Sequence, residues 1–388
     1  MEMEAVIVSA VRTAIAKEGG ALRNLAPFQY GATVIREAVS RVGIQPEEID
    51  DVIFGNCLAG GGNIARLSLL QAGLPIEIPG MTIDRQCGSG MNAVALAAEA
   101  VWAGRGEVFV AGGTESMTRR PYLLEKPTKA FDRHPPRFFQ PQLSTKEIGD
   151  PPMGITAENL AVKYGISREE QDQFAYESQR KMARAMEEGR FQEQIVPIVV
   201  QDGKNEFVFD TDEHPRPNTT LEVLAKLPPV FKEGGSVTAG NSSGINDGAS
   251  ALVVMSRAKA ESMGLEILAK VSAYAVAGVD PNIMGIGPVP AIRKLLKRTG
   301  LKLEDIDLIE INEAFAAQVL ACHRELKFDM NKVNVNGGAI AHGHPIAATG
   351  AMLCTKLVYE MKRTGAKRGL VTACIGGGQG IAVLFERG

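Results

Sequence analysis

Cys87 lies in Met81-Thr-Ile-Asp-Arg-Gln-Cys-Gly-Ser-Gly-Met-Asn-Ala-Val94, where an apolar run gives way to a long Ala-rich helix pattern. A strand-to-helix turn at that point exposes the sulfur to the first free N–H groups of the helix, which stabilise negative charge. Gly88 and Gly90 leave room for the turn and for a substrate close to the backbone. A thiol ordinarily titrates at about 8.5, and a helix N-terminus or a nearby imidazole lowers that value, so the placement predicts a thiolate nucleophile at neutral pH. Three other segments hold complementary groups. His342 and His344 fall in Asn336-Gly-Gly-Ala-Ile-Ala-His-Gly-His-Pro345, and imidazole can take a thiol proton near neutrality and then donate a hydrogen bond. Cys374 ends an apolar run before Gly376, Gly377 and Gly378, where glycines let a backbone N–H point at a substrate oxygen. Asn312 opens Asn312-Glu-Ala-Phe-Ala316; its amide exchanges no proton at neutral pH but can hold a water rigidly.

Cys-Gly-Ser-Gly, Asn-Glu-Ala-Phe, Gly-His-Pro and Cys-x-Gly-Gly-Gly occur in that order, and together they resemble the thiolase family along nearly the whole chain. Pro152-Met-Gly-Ile-Thr-Ala-Glu-Asn159 and Thr238-Ala-Gly-Asn-Ser-Ser-Gly-Ile-Asn-Asp-Gly248 also look like thiolase segments. The resemblance implies a reversible Claisen condensation of acyl-CoA with acetyl-CoA to 3-ketoacyl-CoA, with thiolytic cleavage as the reverse. It implies Cys87 as the acylated nucleophile and His344, the histidine before the proline, as its base and a later oxyanion donor. Cys374 becomes the acid/base at the acetyl-CoA methyl group, and Asn312 the holder of a water at the enolate oxygen. The N–H groups of Cys87 and Gly376 become the hole for the tetrahedral oxyanion. Arg216, Ser243, Phe231, Met153 and Phe315 map onto coenzyme A contacts. No metal or tightly bound cofactor is implied; coenzyme A thioesters are substrates, and the protein is expected to be a homodimer or homotetramer.

The sequence departs from the family pattern at Ala347 and Thr349 in the loop after the histidine, at Pro152, and at Val223, where a cofactor-contacting serine is common. These changes are expected to bear on acyl length and coenzyme A binding while sparing the catalytic groups.

The elements that must position these residues read as a duplication. Glu48-Ile-Asp-Asp-Val-Ile-Phe54 is echoed by Leu303-Glu-Asp-Ile-Asp-Leu-Ile-Glu310, each an acidic turn followed by an apolar strand. The Cys87 turn, its helix and the strand at 107–113 are echoed by Val333-Asn-Val335, a helix around 351–360 and a strand at 369–374. Apolar strands alternating with helix patterns predict buried, parallel sheets. The predicted fold is α/β: two thiolase-like α/β halves in α-β-α-β-α layers, with an inserted loop domain. The expected boundaries are 1–117 with 246–269 for the nucleophile half, 118–245 for the insertion that covers the site and binds coenzyme A, and 270–388 for the half carrying Asn312, His344 and Cys374. The insertion is Pro-rich and irregular over 121–152, helical over about 167–189, and polar as far as 235, and a strand at 249–255 returns the chain to the first sheet.

Length suggests two or three domains, and 45% hydrophobic with 22% charged residues suits a soluble globular chain. A net charge of −3 gives no reason to expect nucleic-acid or anionic-membrane binding. Five scattered cysteines suggest neither a disulfide framework nor a zinc site. The start Met1-Glu-Met-Glu-Ala-Val-Ile-Val is acidic, then strand-like, unlike a signal or transit peptide, so a cytoplasmic setting is expected. There is no phosphate loop or dinucleotide fingerprint in the right context. Two rival readings are a ketoacyl synthase of the same fold and a catalytically silent acyl-CoA-binding member. The first generally needs a second histidine or a His-Asn pair where this chain has Asn312 and Cys374, and the second commonly lacks the cysteine or histidine retained here.

Overall fold

Two distant stretches of chain adopt the same local plan in the computed structural model, which describes residues 3–59, 61–131 and 134–388. Met1 and Glu2 of the strand-like start, and Asp132 and Arg133 of the Pro-rich segment, lie outside the described residues. The first half runs through β1 (Ala5–Thr13), the two-residue β2 (Ala16–Lys17), α1 (Pro27–Val42), β3 (Asp51–Gly55), α2 (Ile64–Gln71), β4 (Gly80–Ile83), α3 (Ser89–Trp102) and β5 (Val108–Ser116). The insertion holds β6 (Leu123–Leu124), β7 (Phe138–Phe139), α4 (Met153–Tyr164), α5 (Arg168–Glu187), β8 (Ile195–Val196), the hairpin β9 (Ile198–Asp202) and β10 (Asn205–Phe209), and α6 (Leu221–Ala225). After β11 (Asn246–Ser256) and α7 (Arg257–Ser262), the second half contains β12 (Ala269–Gly278), α8 (Pro288–Thr299), β13 (Leu308–Ile311), α9 (Ala316–Leu326), α10 (Ala339–His342), α11 (Ile346–Thr364), β14 (Arg368–Ile375) and β15 (Gln379–Glu386).

Among the described residues nine strands follow one hydrogen-bonded path, β13-β14-β15-β12-β1-β11-β5-β3-β4, with β2 paired to β11 and β8 to β1, while β6–β7 and β9–β10 pair separately. The halves join where β1 pairs β12 from Ala5↔Val271 to Ile7↔Ala269. Successive side chains of a strand point to opposite faces, and β11 shows the result. Ala249, Ala251, Val253 and Met255 face a core with α1 and α2. Leu252 and Val254 face a second core built from α3 and α11, whose far side is closed by Val371, Ile381 and Val383 of the second half. Beyond that sheet, α8 and α9 pack in a third core with Leu370 and Leu384. These are the expected α-β-α-β-α layers, with α3 and α11 as the shared middle layer.

The sheets are mixed rather than parallel, which corrects the strand reading. β3 pairs β4 and β5 in parallel, as β13 pairs β14, whereas β1–β11, β5–β11, β12–β15 and β14–β15 are antiparallel. β14 and β15 are consecutive and joined by a tight turn at Gly377 (φ 82°) and Gly378 (φ 85°), which only an antiparallel pair allows. Val333-Asn-Val335, the stretch that echoes the Cys87 region, makes only a single bridge between Ile309 and Val333. Asn334 takes a φ of 43°, and its side chain supplies the missing pairing: Oδ1 accepts from Ile311 N at 2.9 Å and Nδ2 donates to Ile311 O at 2.9 Å. In the insertion, α5 starts where expected because Ser167 caps it, accepting from Glu170 N while Glu170 returns a bond to Ser167 N. Helix α4 and the β9–β10 hairpin went unanticipated there.

Candidate active site

Both functional turns enter the middle helix layer from its ends. After β4, the backbone tightens into a short 3-10 turn over Gln86–Gly88 before α3 begins at Ser89. The left-handed conformation of that turn falls on Gln86 (φ 43°), and Asp84 holds it, accepting from Gln86 N at 2.8 Å and from Nε2 at 2.9 Å. Ser89 Oγ accepts from Arg85 N at 2.8 Å and donates to Gln86 O at 2.7 Å. The neighbouring glycines serve packing instead. A Cβ at Gly88 would lie 2.7 Å from Ile375 Cδ1, and one at Gly90 2.8 Å from Ala347 O. The expectation that Gly88 and Gly90 provide the turn is therefore replaced by a requirement for close approach between the halves.

In the second half the chain leaves α10 through Gly343 (φ 99°), where a Cβ would meet Asn246 Cγ at 2.5 Å. Asn246 is fully buried; its Oδ1 accepts from His344 N at 2.9 Å and its Nδ2 donates to Ala16 O at 3.1 Å. The buried His344 ring then faces Cys87, with Nε2 3.3 Å from Sγ. Asn312 Nδ2 is 3.4 Å from the same nitrogen, and Thr349 Oγ1 is 2.7 Å from Nδ1.

Burial pushes the Cys87 thiol up to about 11, against the opposing pull of the Gly376 N–H and its own N–H on the sulfur, with Glu115 and Asp84 raising it further. Burial pushes His344 down to about 4. The resting pair is thus thiol and neutral imidazole, which corrects the expectation of a free thiolate: desolvation outweighs the helix N-terminus. Cys374 is fully buried, and its thiol is raised well above the ordinary range by burial and then by Cys87 and Cys322.

The arrangement brings Cys87, His344, Asn312, Cys374 and Gly376 to one place. Met153 and Leu143 border the same turn, since a Cβ at Gly376 would lie 3.0 Å from Leu143 Cδ1 and 3.7 Å from Met153 Sδ. Phe231 stands edge-on to Phe315, ring centres 6.0 Å apart, and its ring covers Gly154 beside Met153. Ser243 N donates to Ala314 O at 3.0 Å, which sets it beside Phe315. Arg216 is exposed on a loop tied through its N–H to Gln179 Oε1 at 2.9 Å. His342 is buried, donates from Nδ1 to Gly343 O at 2.8 Å, and makes no bond to the nucleophile. Among the described residues no group of His, Cys, Asp or Glu is placed to hold a metal ion, and no helix is long and apolar enough to cross a membrane.

Sequence reasoning missed three supporting residues. Thr349 lies at hydrogen-bond distance from the His344 imidazole, where it was expected to leave the candidate groups untouched. Asn246 anchors the same loop. Glu115, buried and pushed up to about 7 by burial, accepts from Cys57 N and Leu58 N at 3.1 Å and from Ala347 N at 3.2 Å. For Thr349 a signal existed: five residues after His344, with Pro345 opening a helix, it must fall in the first turn beneath the ring.

Comparison with known proteins identifies the family. Residues 5–258 match the thiolase N-terminal domain and residues 265–387 the thiolase C-terminal domain. An acetyl-CoA acetyltransferase of Syntrophomonas wolfei is 49% identical over 100% of both chains. The crystal structure of the Bacillus anthracis acetyl-CoA acetyltransferase superposes with a TM-score of 0.93 at 46% identity, covering 99% of each chain. Human mitochondrial 3-ketoacyl-CoA thiolase gives a TM-score of 0.94 at 42% identity, covering 100% of this chain and 99% of that one.

Proposed function

This chain belongs to the thiolase family, and from that premise we propose that Cys87 and His344 are the reacting pair of its acyl transfer. The enzyme is an acyltransferase that joins acyl-CoA and acetyl-CoA reversibly into 3-ketoacyl-CoA; the silent and ketoacyl synthase readings are not favoured. The observation that carries the site assignment is the 3.3 Å approach of Cys87 Sγ to His344 Nε2.

In the first step the Cys87 proton passes to His344 Nε2 as the sulfur attacks the thioester carbonyl. The N–H groups of Cys87 and Gly376 receive the oxyanion. The departing coenzyme A sulfur takes the Cys374 proton, leaving Cys374 as thiolate. Its raised pKa makes it a strong base for the methyl group of acetyl-CoA once that proton has gone. The resulting enolate oxygen is bound by the imidazolium of His344 and a water held by Asn312, whose buried Oδ1 has no protein partner among the described residues. Attack of the enolate carbon on the acyl group expels Cys87, which recovers its proton from His344, and all groups return to their first state.

Coenzyme A is assigned to the 118–245 insertion, between Met153, Phe231, Phe315 and Ser243, with Arg216 available for phosphate or adenine. No tightly bound cofactor takes part in this scheme. The setting is cytoplasmic, and β4, at one end of the sheet path with Met81 40% exposed, is the edge for a homodimer that pairs further into a tetramer. Brief incubation with acetyl-CoA followed by peptide mass spectrometry tests the central assignment. Acetyl on Cys87 is expected, and acetyl confined to other cysteines overturns it. A thiolysis series with 3-ketoacyl-CoA substrates of increasing length then fixes the acyl range.

A further inference from the structure

An imidazole has two nitrogens, and only an unprotonated one can take the Cys87 proton. Thr349 sits in the first turn of α11 with no exposed surface. Its hydroxyl lies 3.1 Å from Pro345 O and 2.7 Å from His344 Nδ1. A carbonyl oxygen only accepts, so the hydroxyl hydrogen goes to Pro345 O, and toward the ring the hydroxyl offers a lone pair. Nδ1 must then carry hydrogen. Nε2 keeps its lone pair and faces Asn312 Nδ2, a donor, at 3.4 Å and Cys87 Sγ, whose S–H can turn to donate, at 3.3 Å. The other tautomer would set an Nε2–H against the Asn312 amide hydrogens and leave Nδ1 without a proton to give Thr349.

We propose that Thr349 is a positioning residue that fixes His344 in its Nδ1–H tautomer and supports the imidazolium formed when Cys87 is acylated. This rests on the reading of Cys87 and His344 as the reacting pair. In the step itself the Sγ–H bond breaks and an Nε2–H bond forms. The positive charge that results is shared with Nδ1–H, whose bond to Thr349 becomes charge-assisted. Asn246 holds the His344 backbone at 2.9 Å, and the ring itself is buried, which limits its freedom to turn to another acceptor.

Thr349→Ser and Thr349→Ala lose the same methyl group and differ only in the hydroxyl, which separates packing from hydrogen bonding. Acetyl exchange between acetyl-CoA and labelled coenzyme A reads the acylation half-reaction, in which Cys87 and His344 take part, apart from carbon–carbon bond formation. The serine variant is expected to stay within a few-fold of the parent. The alanine variant is expected to lose about 10- to 100-fold in kcat, the range for a hydrogen bond to a charged group, with KM for acetyl-CoA unchanged. Nitrogen-15 spectra of imidazole-labelled protein are expected to show His344 protonated on Nδ1 in the parent and as a tautomer mixture in the alanine variant. His344→Ala is the reference. If it exchanges acetyl at the parental rate, the reading of the reacting pair fails and this proposal with it. If it is inactive while the alanine and serine variants at Thr349 are equally active, or if the parent carries its His344 proton on Nε2, the Thr349 assignment alone is overturned. Should the alanine variant not fold, the parental spectrum still decides.

Discussion

In the first half, β4 pairs with β3 through four successive residues, Val52↔Gly80 to Gly55↔Ile83, and the nucleophile follows within one short turn. In the second half the matching stretch makes one bridge, and Asn334 completes the pairing with its side chain. The chain freed in this way forms α10 and the loop that carries His344 across to Cys87 of the other half. A duplicated unit thus yields unlike parts. One copy keeps its edge strand and presents a sulfur at a helix start, and the other trades its strand for reach. The same Asn334 amide also donates to Glu313 Oε1 at 2.8 Å, and Glu313 accepts from Ser178 Oγ at 2.7 Å and from Ile340 N at 3.2 Å. The strand substitute, the asparagine turn at 312 and the histidine loop are therefore one buried network.

The strongest way to break the comparison is to remove each half's thiol. Cys87→Ala is expected to abolish acetyl exchange outright. Cys374→Ala should still acetylate Cys87 and exchange acetyl with labelled coenzyme A, more slowly because coenzyme A then leaves without the Cys374 proton. It should lose methyl-proton exchange with solvent and about 10²–10⁴-fold of condensation and thiolysis. A Cys374→Ala enzyme with full thiolysis would sink the division of labour between halves.

The pH dependence of alkylation sharpens the same contrast. Because burial pushes Cys87 up to about 11, its modification by iodoacetamide should keep rising about tenfold per unit through the alkaline range, without levelling near the ordinary thiol value of about 8.5. Cys374, raised well above its ordinary range and fully buried, should react more slowly at every pH. A plateau for Cys87 below pH 9 would restore the thiolate reading.

Asn334→Ala tests the strand substitute. It strips partners from Ile311 N and O and from Glu313, so a loss of about 2–4 kcal/mol in stability is expected from buried unsatisfied groups, read as a lowered denaturant midpoint. The smallest effect is expected at Gln86→Gly. Glycine accepts the left-handed turn without strain but gives up the Nε2 bond to Asp84 and adds chain entropy, so stability should change by no more than about 1 kcal/mol. A large loss there would mean that the Gln86 side chain, and not the turn shape, holds Cys87.

The layered fold was legible in the alternation of apolar strand runs and helix patterns. Cys87, His344, Asn312, Cys374 and Gly376, which the structure brings together, were legible through four ordered motifs that resemble the thiolase family. The local pattern around Cys87 or Asn312 alone fits a packing or capping residue as well. What was not legible depends on distant chain. The lowered pKa expected for Cys87 failed because burial is supplied by the second half, which the first half's sequence cannot show. Parallel sheets were expected from strand–helix alternation, yet β11 returns from the insertion to lie antiparallel between β1 and β5. Thr349 read as a variation in pocket size because its hydroxyl has meaning only once Pro345 O and His344 Nδ1 are placed on either side of it.

The carbonyl of Ala347, one residue into α11, is enclosed by glycines far apart in sequence. A Cβ would approach it to 2.3 Å at Gly113, 2.8 Å at Gly90 and 3.0 Å at Gly55. A methyl group at any of the three displaces the same oxygen, and with it the helix start that bears His344 and Thr349. Substitutions at these positions should not act independently: once one has shifted the carbonyl, a second meets a site already moved, and the combined cost falls short of the sum. Three positions that look unrelated along the chain then share one mutational tolerance, set by a single peptide oxygen.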